Sequence, residues 1–167
     1  KNIKDLRNKP KFVILTNSGT SALHISCVLS GINNKHEVLI PAFTFVACPN
    51  SVIYCNADPH FVEIEEKHFG IDLKKLRSYL KKIAIKKNKF WINKKTKKII
   101  KAIMIVHPLG YPINYGELKK FIKEFNLIVI EDAADALGSY YKNKHVGTFG
   151  KFGVLSFNGN KIITSGT

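Results

Sequence analysis

Lys161, near the C-terminal end of the sequence, has the clearest chemical potential of any side chain. It is one of 25 lysines, so the information lies in its setting and not in its type. It follows an apolar segment, residues 154–157, that is predicted to be a strand and contains Ser156; a small polar turn comes between. An amine held at such a place can form a Schiff base with an aldehyde cofactor. A surface lysine is the plain alternative.

Two other segments carry polar groups at the predicted ends of strands. Residues 17–20 form a strand-to-helix turn whose backbone N–H groups would favour a phosphate, although a simple N-cap by Ser18 explains the pattern equally well. Asp132 follows the apolar run 127–130, and its carboxylate could pair with a cationic ring nitrogen. By itself, Asp132 is also a suitable cap for a following helix.

The elements that must position these groups alternate between strand-like and helix-like patterns. Strands are predicted at residues 12–15, 38–40, 60–64, 99–106, 127–130 and 154–157. A first helix opens at Ser18, presents Leu23, Cys27 and Val28 on one face, and ends near Gly31. This alternation predicts an α/β fold with a largely parallel sheet, in which ligands bind at the carboxyl ends of strands.

Three further helices are predicted. One is predicted at about residues 44–55, with Pro49 near its first turns. Another begins after Asp72, and its apolar residues Leu73, Leu76, Leu80 and Ile83 recur at helical spacing. Asn114 and Glu117 have the spacing of a capping box before a third. Residues 86–98 resemble a basic surface insertion, and residues 140–146 a small hairpin around Asn143.

Composition limits the class of protein. Of the 167 residues, 45% are hydrophobic, which excludes global disorder, and no apolar run approaches the ~18 residues of a membrane helix. The net charge of +15 could attract nucleic acid, but Arg7 and Arg77 are the only arginines and the lysines are scattered. A general compositional bias is the favoured explanation. The three cysteines lack metal-ligand spacing, which favours reduced thiols in the cytoplasm and predicts no metal site.

The combination of these segments in this order resembles a known family. A phosphate cup, an acidic strand end and then Ser-x-x-x-x-Lys make the chain similar to the DegT/DnrJ/EryC1/StrS sugar aminotransferases, which are fold-type I pyridoxal-phosphate enzymes. The resemblance extends over residues 16–166. Its strongest segments are residues 17–24 (NSGTSALH), 41–47 (PAFTFVA), 131–134 (EDAA) and 156–161 (SFNGNK). Residues 147–164 and the insertion before Lys101 look most like the branch that makes precursors of legionaminic acid.

The resemblance implies a three-layer α/β/α large domain with a mostly parallel sheet, and pyridoxal 5′-phosphate as cofactor. Lys161 would be the lysine that binds the aldehyde and later moves the proton. Asp132 would pair with the pyridine nitrogen, and Phe45 would stack on the ring. The phosphate would be bound by Gly19, Thr20 and Ser156.

Two positions depart from the family pattern. Asp135 stands where relatives usually carry Gln, Glu or His near the phenolic oxygen of the cofactor. An ionised carboxylate there would repel the phenolate unless it is protonated or turned away. Residues 107–114 lack the second His of the family and have Asn114 in place of its usual Asp, which affects substrate detail more than chemistry.

The function implied is transamination of a nucleotide-linked 4-keto-6-deoxysugar, with glutamate as amino donor, in surface-polysaccharide or nonulosonic-acid biosynthesis. The alternatives are an inactive truncated member of the family, a related sugar dehydratase and, more remotely, a basic nucleic-acid-binding module. The dehydratases replace the lysine by histidine, which disfavours them.

Residues 1–167 are interpreted as part of the large domain, without the N-terminal arm and C-terminal small domain of the family. Family members work as homodimers, so we expect a dimer of the full-length protein and no activity from this piece alone. Neither nucleic acid nor membrane is expected as a partner.

Overall fold

The computed structural model describes residues 10–166, which form a sheet between two helical layers. The four helices are α1 (Gly19–Leu29), α2 (Ala47–Ile53), α3 (Leu73–Ile83) and α4 (Tyr115–Phe125). The strands of the main sheet are β1 (His36–Pro41), β2 (Asp58–Val62), β3 (Ala84–Lys87), β4 (Phe90–Asn93), β5 (Ile99–Val106), β6 (Ile128–Asp132) and β9 (Phe152–Val154). A separate small hairpin contains β7 (Tyr140–Tyr141) and β8 (Lys144–His145). None of the helices within residues 10–166 has the length and apolarity needed to cross a bilayer.

Five strands of the main sheet are parallel and lie in the order β2–β1–β5–β6–β9. Because all five strands run in the same direction, their carboxyl ends point to the same edge of the sheet. The predicted α/β fold with a mostly parallel sheet is therefore confirmed.

Alternate side chains of the central strands pack into two separate hydrophobic cores, one on each face of the sheet. Val38 and Ile40 of β1 face α1 and α2, where Leu23 and Val52 are buried. Leu39 between them faces α3 and α4, together with the residues of the second core cluster. That cluster includes Leu76, Leu80, Leu118, Phe121, Phe125, Ile103, Ile105 and Val129. Strands buried on both faces explain the near-continuous apolar runs of the sequence.

The predicted helix caps are confirmed. Ser18 has extended backbone and its hydroxyl accepts a hydrogen bond from the Ser21 amide, while Asp72 and Asn114 cap α3 and α4 in the same way. Gly31 follows α1 with φ of +68°, a conformation that glycine adopts without strain. Val28 is an exception, because it is 54% exposed and lies outside the buried face formed by Leu23 and Cys27.

Two strand predictions and one helix boundary are wrong. Residues 12–15 form no strand, because no strand within residues 10–166 pairs with them; their side chains are 54–89% exposed. The strand predicted at residues 154–157 is β9, which stops at Val154 because its pairing with β6 ends where Asp132 is reached. Helix α2 begins at Ala47, not residue 44, which places Pro49 in the first turn, where no amide hydrogen bond is lost.

The predicted insertion at residues 86–98 contributes a hairpin to the sheet. Strands β3 and β4 pair antiparallel, and β4 pairs with the beginning of β5. Glu37, a buried residue of β1, attaches the hairpin to the sheet. Its carboxylate accepts hydrogen bonds from the side-chain amide of Asn93 (3.1 Å) and from the Thr96 hydroxyl. On its outer side, Trp91 packs against Phe125 with ring centroids 4.8 Å apart.

A buried carboxylate, Glu131 of β6, ties the sheet to the loop before β9. Its two oxygens accept hydrogen bonds from the backbone amides of Gly147 (2.9 Å), Phe149 (2.6 Å) and Gly150, and from the Tyr115 hydroxyl. His107 Nε2 lies 3.2 Å from the same carboxylate. Burial by itself would raise the pKa of Glu131, but these donors outweigh burial and lower it.

We expect Glu131→Gln to lower the free energy of unfolding by about 3 kcal/mol, because an amide nitrogen would face backbone donors in a buried place. A matched control is Glu124→Gln, at a carboxylate that is 31% exposed and pairs with Arg77 and Lys81; it should cost less than about 1 kcal/mol. Chemical denaturation at neutral pH measures both. Equal losses of stability in Glu131→Gln and Glu124→Gln would contradict the stabilising role of the buried Glu131 hydrogen bonds.

The Glu131 contribution should also depend on pH. A carboxyl whose pKa is lowered by folding stabilises the folded state above its unfolded pKa of about 4.3, and this stabilisation is lost as the pH falls through the folded pKa. The difference in stability between the wild type and Glu131→Gln should therefore shrink in acid. A difference that grows as the pH falls would contradict this account.

Candidate active site

A cleft of about 1010 Å³ opens at the sheet edge where the carboxyl ends of β1, β5, β6 and β9 meet. All seven residues singled out from the sequence line this cleft: Gly19, Thr20, Phe45, Asp132, Asp135, Ser156 and Lys161. They come from four separate parts of the chain. The topology therefore brings together what the sequence spreads over more than 140 residues.

One end of the cleft is suited to an anion. The Ser18 side chain caps only the Ser21 amide, which leaves the amides of Gly19 and Thr20 open to a ligand within the part of the chain that the structure describes. Gly19 lies against Ser156: a Cβ at position 19 would be 3.5 Å from the Ser156 hydroxyl oxygen. The N-terminus of α1 and the Ser156 hydroxyl thus lie next to each other, where both could bind the same anion.

Asp132 is the last residue of β6 and is buried at the base of the cleft. The Ala134 amide donates a hydrogen bond to Oδ1 (3.0 Å), and the Cys48 thiol donates one to Oδ2 (3.0 Å). Burial raises the pKa of the Cys48 thiol, and the nearby Asp132 carboxylate raises it further. Asp132 is therefore held by two donors and oriented into the cleft.

Lys161 also lines the cleft, in a turn closed by a hydrogen bond from its amide to the Asn158 carbonyl (2.9 Å). Its ammonium is 2.8 Å from Asp135 Oδ1 and 5.9 Å from the centre of the Phe45 ring. The Lys161 side chain is 17% exposed, whereas that of Asp135 is 54% exposed. The carboxylate that departs from the family pattern thus faces the lysine amine.

The donor set fits pyridoxal phosphate. Amides and a hydroxyl converge at one end of the cleft, a buried carboxylate lies at its base, and an amine and an aromatic ring lie on its walls. These are the groups needed for a phosphate, a ring nitrogen, an aldehyde and a flat ring face respectively. Within residues 10–166 no three His, Cys, Asp or Glu side chains are close enough together to hold a metal ion.

Sequence reasoning missed two residues near the site. Cys48 reaches Asp132 across 84 positions of sequence, and no local pattern indicates such a contact. The second is Glu131, whose hydrogen bonds to the amides of residues 147, 149 and 150 set the path of the chain toward Ser156. An acidic residue within an otherwise apolar buried strand was the one signal available for Glu131.

Two relatives are similar over nearly the whole chain. One is GDP-perosamine synthase of Caulobacter vibrioides, 38% identical over 156 residues that cover 93% of this chain and 38% of the relative. The other is the UDP-4-amino-4,6-dideoxy-N-acetyl-β-L-altrosamine transaminase of Campylobacter jejuni, 34% identical over 155 residues, which cover 93% of this chain and 37% of the relative. The chain thus spans less than half the length of these relatives.

A solved structure shows the same fold. The sugar aminotransferase Spr1654 of Streptococcus pneumoniae, in its pyridoxal-phosphate form, superposes with a TM-score of 0.71 at 26% identity, covering 89% of this chain and 38% of that one. The model of the DegT/DnrJ/EryC1/StrS aminotransferase family matches residues 4–167. On the strength of this match over nearly its full length, the chain belongs to the DegT/DnrJ/EryC1/StrS aminotransferase family.

Proposed function

We propose that the protein containing this chain is a pyridoxal-phosphate-dependent aminotransferase that converts a nucleotide-linked 4-keto-6-deoxysugar to its 4-amino sugar. The observation that carries the proposal is the convergence of Lys161, Asp132 and the α1 N-terminus in one cleft. The Campylobacter relative, by its name, is a transaminase of a 4-amino-4,6-dideoxy sugar, which supports this substrate class. Glutamate is the proposed donor, and the legionaminic-acid branch the proposed pathway.

The phosphate of the cofactor would be held at the N-terminus of α1. The open amides of Gly19 and Thr20 and the hydroxyl of Ser156 would hold it, and the partial positive charge of the α1 N-terminus favours its negative charge. Because these groups are backbone amides and a short side chain, they hold their positions without the loss of freedom that long side chains incur. The phosphate end therefore fixes the orientation of the whole cofactor.

The ring is governed by Asp132 and Phe45. When bound, the cofactor supplies an electron sink for amino-group transfer, and a carboxylate at its ring nitrogen strengthens that property. Asp132 is buried and hydrogen-bonded on both oxygens, so its charge is directed and not dispersed in water. Phe45 is 69% exposed, so its ring is accessible for a flat cofactor ring to stack on.

Lys161 is the proposed covalent anchor and proton carrier. Its amine lines the cleft, 5.9 Å from the centre of the Phe45 ring, where it would bind the aldehyde of the cofactor. The Lys161 amine would also act as general base and acid, removing a proton from one carbon and returning it to another. Asp135 Oδ1 lies 2.8 Å from Nζ, so the amine must leave this ion pair before it can attack a carbonyl carbon.

We further propose that residues 1–167 are part of the large domain and that the full-length protein is a homodimer. Exposed apolar side chains on α1 and α2, namely Ile25, Val28, Leu29, Ile53 and Tyr54, support a contact surface on this face. The chain spans 37–38% of the relatives described above, so we expect no activity from it alone. The three free thiols support a reducing compartment, the cytoplasm.

Replacing Lys161 by alanine should abolish covalent attachment of pyridoxal phosphate and lower the transamination rate at least about 10³-fold. The measurement is the absorbance band of the lysine-bound cofactor in the full-length protein. Lys151→Ala is the matched control, because Lys151 also lies near an aromatic ring (Phe152, 5.4 Å) but outside the cleft. A wild-type protein with no such band would refute the proposed function.

Asp135→Asn should let pyridoxal phosphate attach roughly threefold more tightly, since it removes both the ion pair to Lys161 and a negative charge near the cofactor. Titration of the apoprotein with pyridoxal phosphate measures the change. Asp58→Asn removes a comparable ion pair to Lys98 (2.7 Å) away from the cleft and should change nothing. Weaker binding in Asp135→Asn would show that the carboxylate helps to hold the cofactor.

A further inference from the structure

Within residues 10–166, Cys48 is the one side chain outside the family motifs that makes a hydrogen bond to a proposed cofactor-binding group. Its sulfur lies 3.0 Å from Asp132 Oδ2, at the second position of α2, and both residues are buried. A carboxylate has only acceptor oxygens, so the thiol must donate. The contact joins the helix that follows β1 to the end of β6.

We propose that Cys48 is a positioning residue: its thiol orients the Asp132 carboxylate for contact with the cofactor ring. This inference rests on the proposed function. It does not make Cys48 a nucleophile or a redox centre, because the thiol is fully buried and burial raises its pKa. Because burial and the Asp132 carboxylate raise its pKa, the Cys48 thiol keeps its proton at neutral pH and remains a donor.

Two features of the surroundings support a dedicated role. The Ala134 amide already holds Oδ1, so the Cys48 donor on Oδ2 removes the remaining freedom of the carboxylate to rotate. Thiols are also weak donors. The hydrogen bond therefore orients Asp132 while leaving its negative charge available to a cationic ring nitrogen.

The sequence offers a matched control in Cys27. It is also fully buried, belongs to the same apolar cluster as Cys48, and has a raised thiol pKa because of burial. Its sulfur is 3.9 Å from the Ser51 hydroxyl and makes no hydrogen bond to Asp132 within residues 10–166. Cys27→Ala and Cys48→Ala thus remove the same atoms from the same core, and only one of them removes a donor to the site.

The first test is made on the full-length protein without cofactor. Infrared spectra should show a Cys48 S–H stretching band, identified by its loss in Cys48→Ser, at lower frequency than the Cys27 band, because the Cys48 thiol donates to a carboxylate. Asp132→Asn should shift the Cys48 band upward and leave the Cys27 band in place. A Cys48 band at or above the Cys27 frequency would overturn the proposal whether or not the protein is an aminotransferase.

The second test is cofactor affinity. We expect Cys48→Ala to raise the dissociation constant of pyridoxal phosphate about fivefold, while Cys48→Ser, which keeps a donor, and Cys27→Ala stay within about twofold of the wild type. An equal loss of affinity in Cys48→Ala and Cys27→Ala would reduce Cys48 to a packing residue and overturn the inference. Failure of the wild type to bind pyridoxal phosphate would instead refute the proposed function. It would not affect the infrared test of the hydrogen bond from Cys48 to Asp132.

Discussion

The hydrogen bonds of Glu131 are the interaction on which the site depends most. Consecutive residues of a strand point to opposite faces, so Glu131 turns toward Tyr115 in one helical layer and Asp132 toward Cys48 in the other. By holding the amides of residues 147, 149 and 150, Glu131 fixes where β9 enters the sheet. The end of β9 in turn fixes Ser156 and Lys161. Two adjacent carboxylates thus have separate roles, one in the path of the chain and one in the cleft.

The parallel direction of the strands brings the site residues together. Because β1, β5, β6 and β9 run in the same direction, the segments that leave them emerge at one edge, and Phe45, His107, Asp132 and Ser156 meet there although they are far apart in sequence. The close approach of the chain before β9 demands glycine: a Cβ at Gly153 would overlap the Gly147 carbonyl oxygen. The glycines that let the chain pack closely before β9 therefore also help to place the site residues that follow β9.

Much of this could be predicted from the sequence, and the successes share a physical basis. Strand β5 is found at the predicted residues 99–106, because a long apolar run buried on both faces has few other ways to fold. The caps at Ser18, Asp72 and Asn114 were predictable because a cap depends on neighbours two or three positions away. The order of the motifs identified the family, which the match over residues 4–167 confirms.

What could not be predicted depends on contacts between distant segments. Residues 12–15 have the apolar composition of a strand, but a strand requires a partner, and composition does not show whether one is present. The same limit applies to the hydrogen bond from Cys48 to Asp132 and to the hairpin that Glu37 attaches to the sheet. The ion pair of Asp135 with Lys161 joins residues 26 positions apart, and only the fold shows that they meet.

The central claim is that this fold places one lysine of 25 where it can bind an aldehyde. The most direct measurement is to reduce the full-length protein with borohydride in the presence of pyridoxal phosphate, digest it, and locate the modified lysine by mass spectrometry. The account predicts a single stoichiometric adduct on Lys161. Modification spread over exposed lysines, or a stoichiometric adduct on any other lysine, would contradict it.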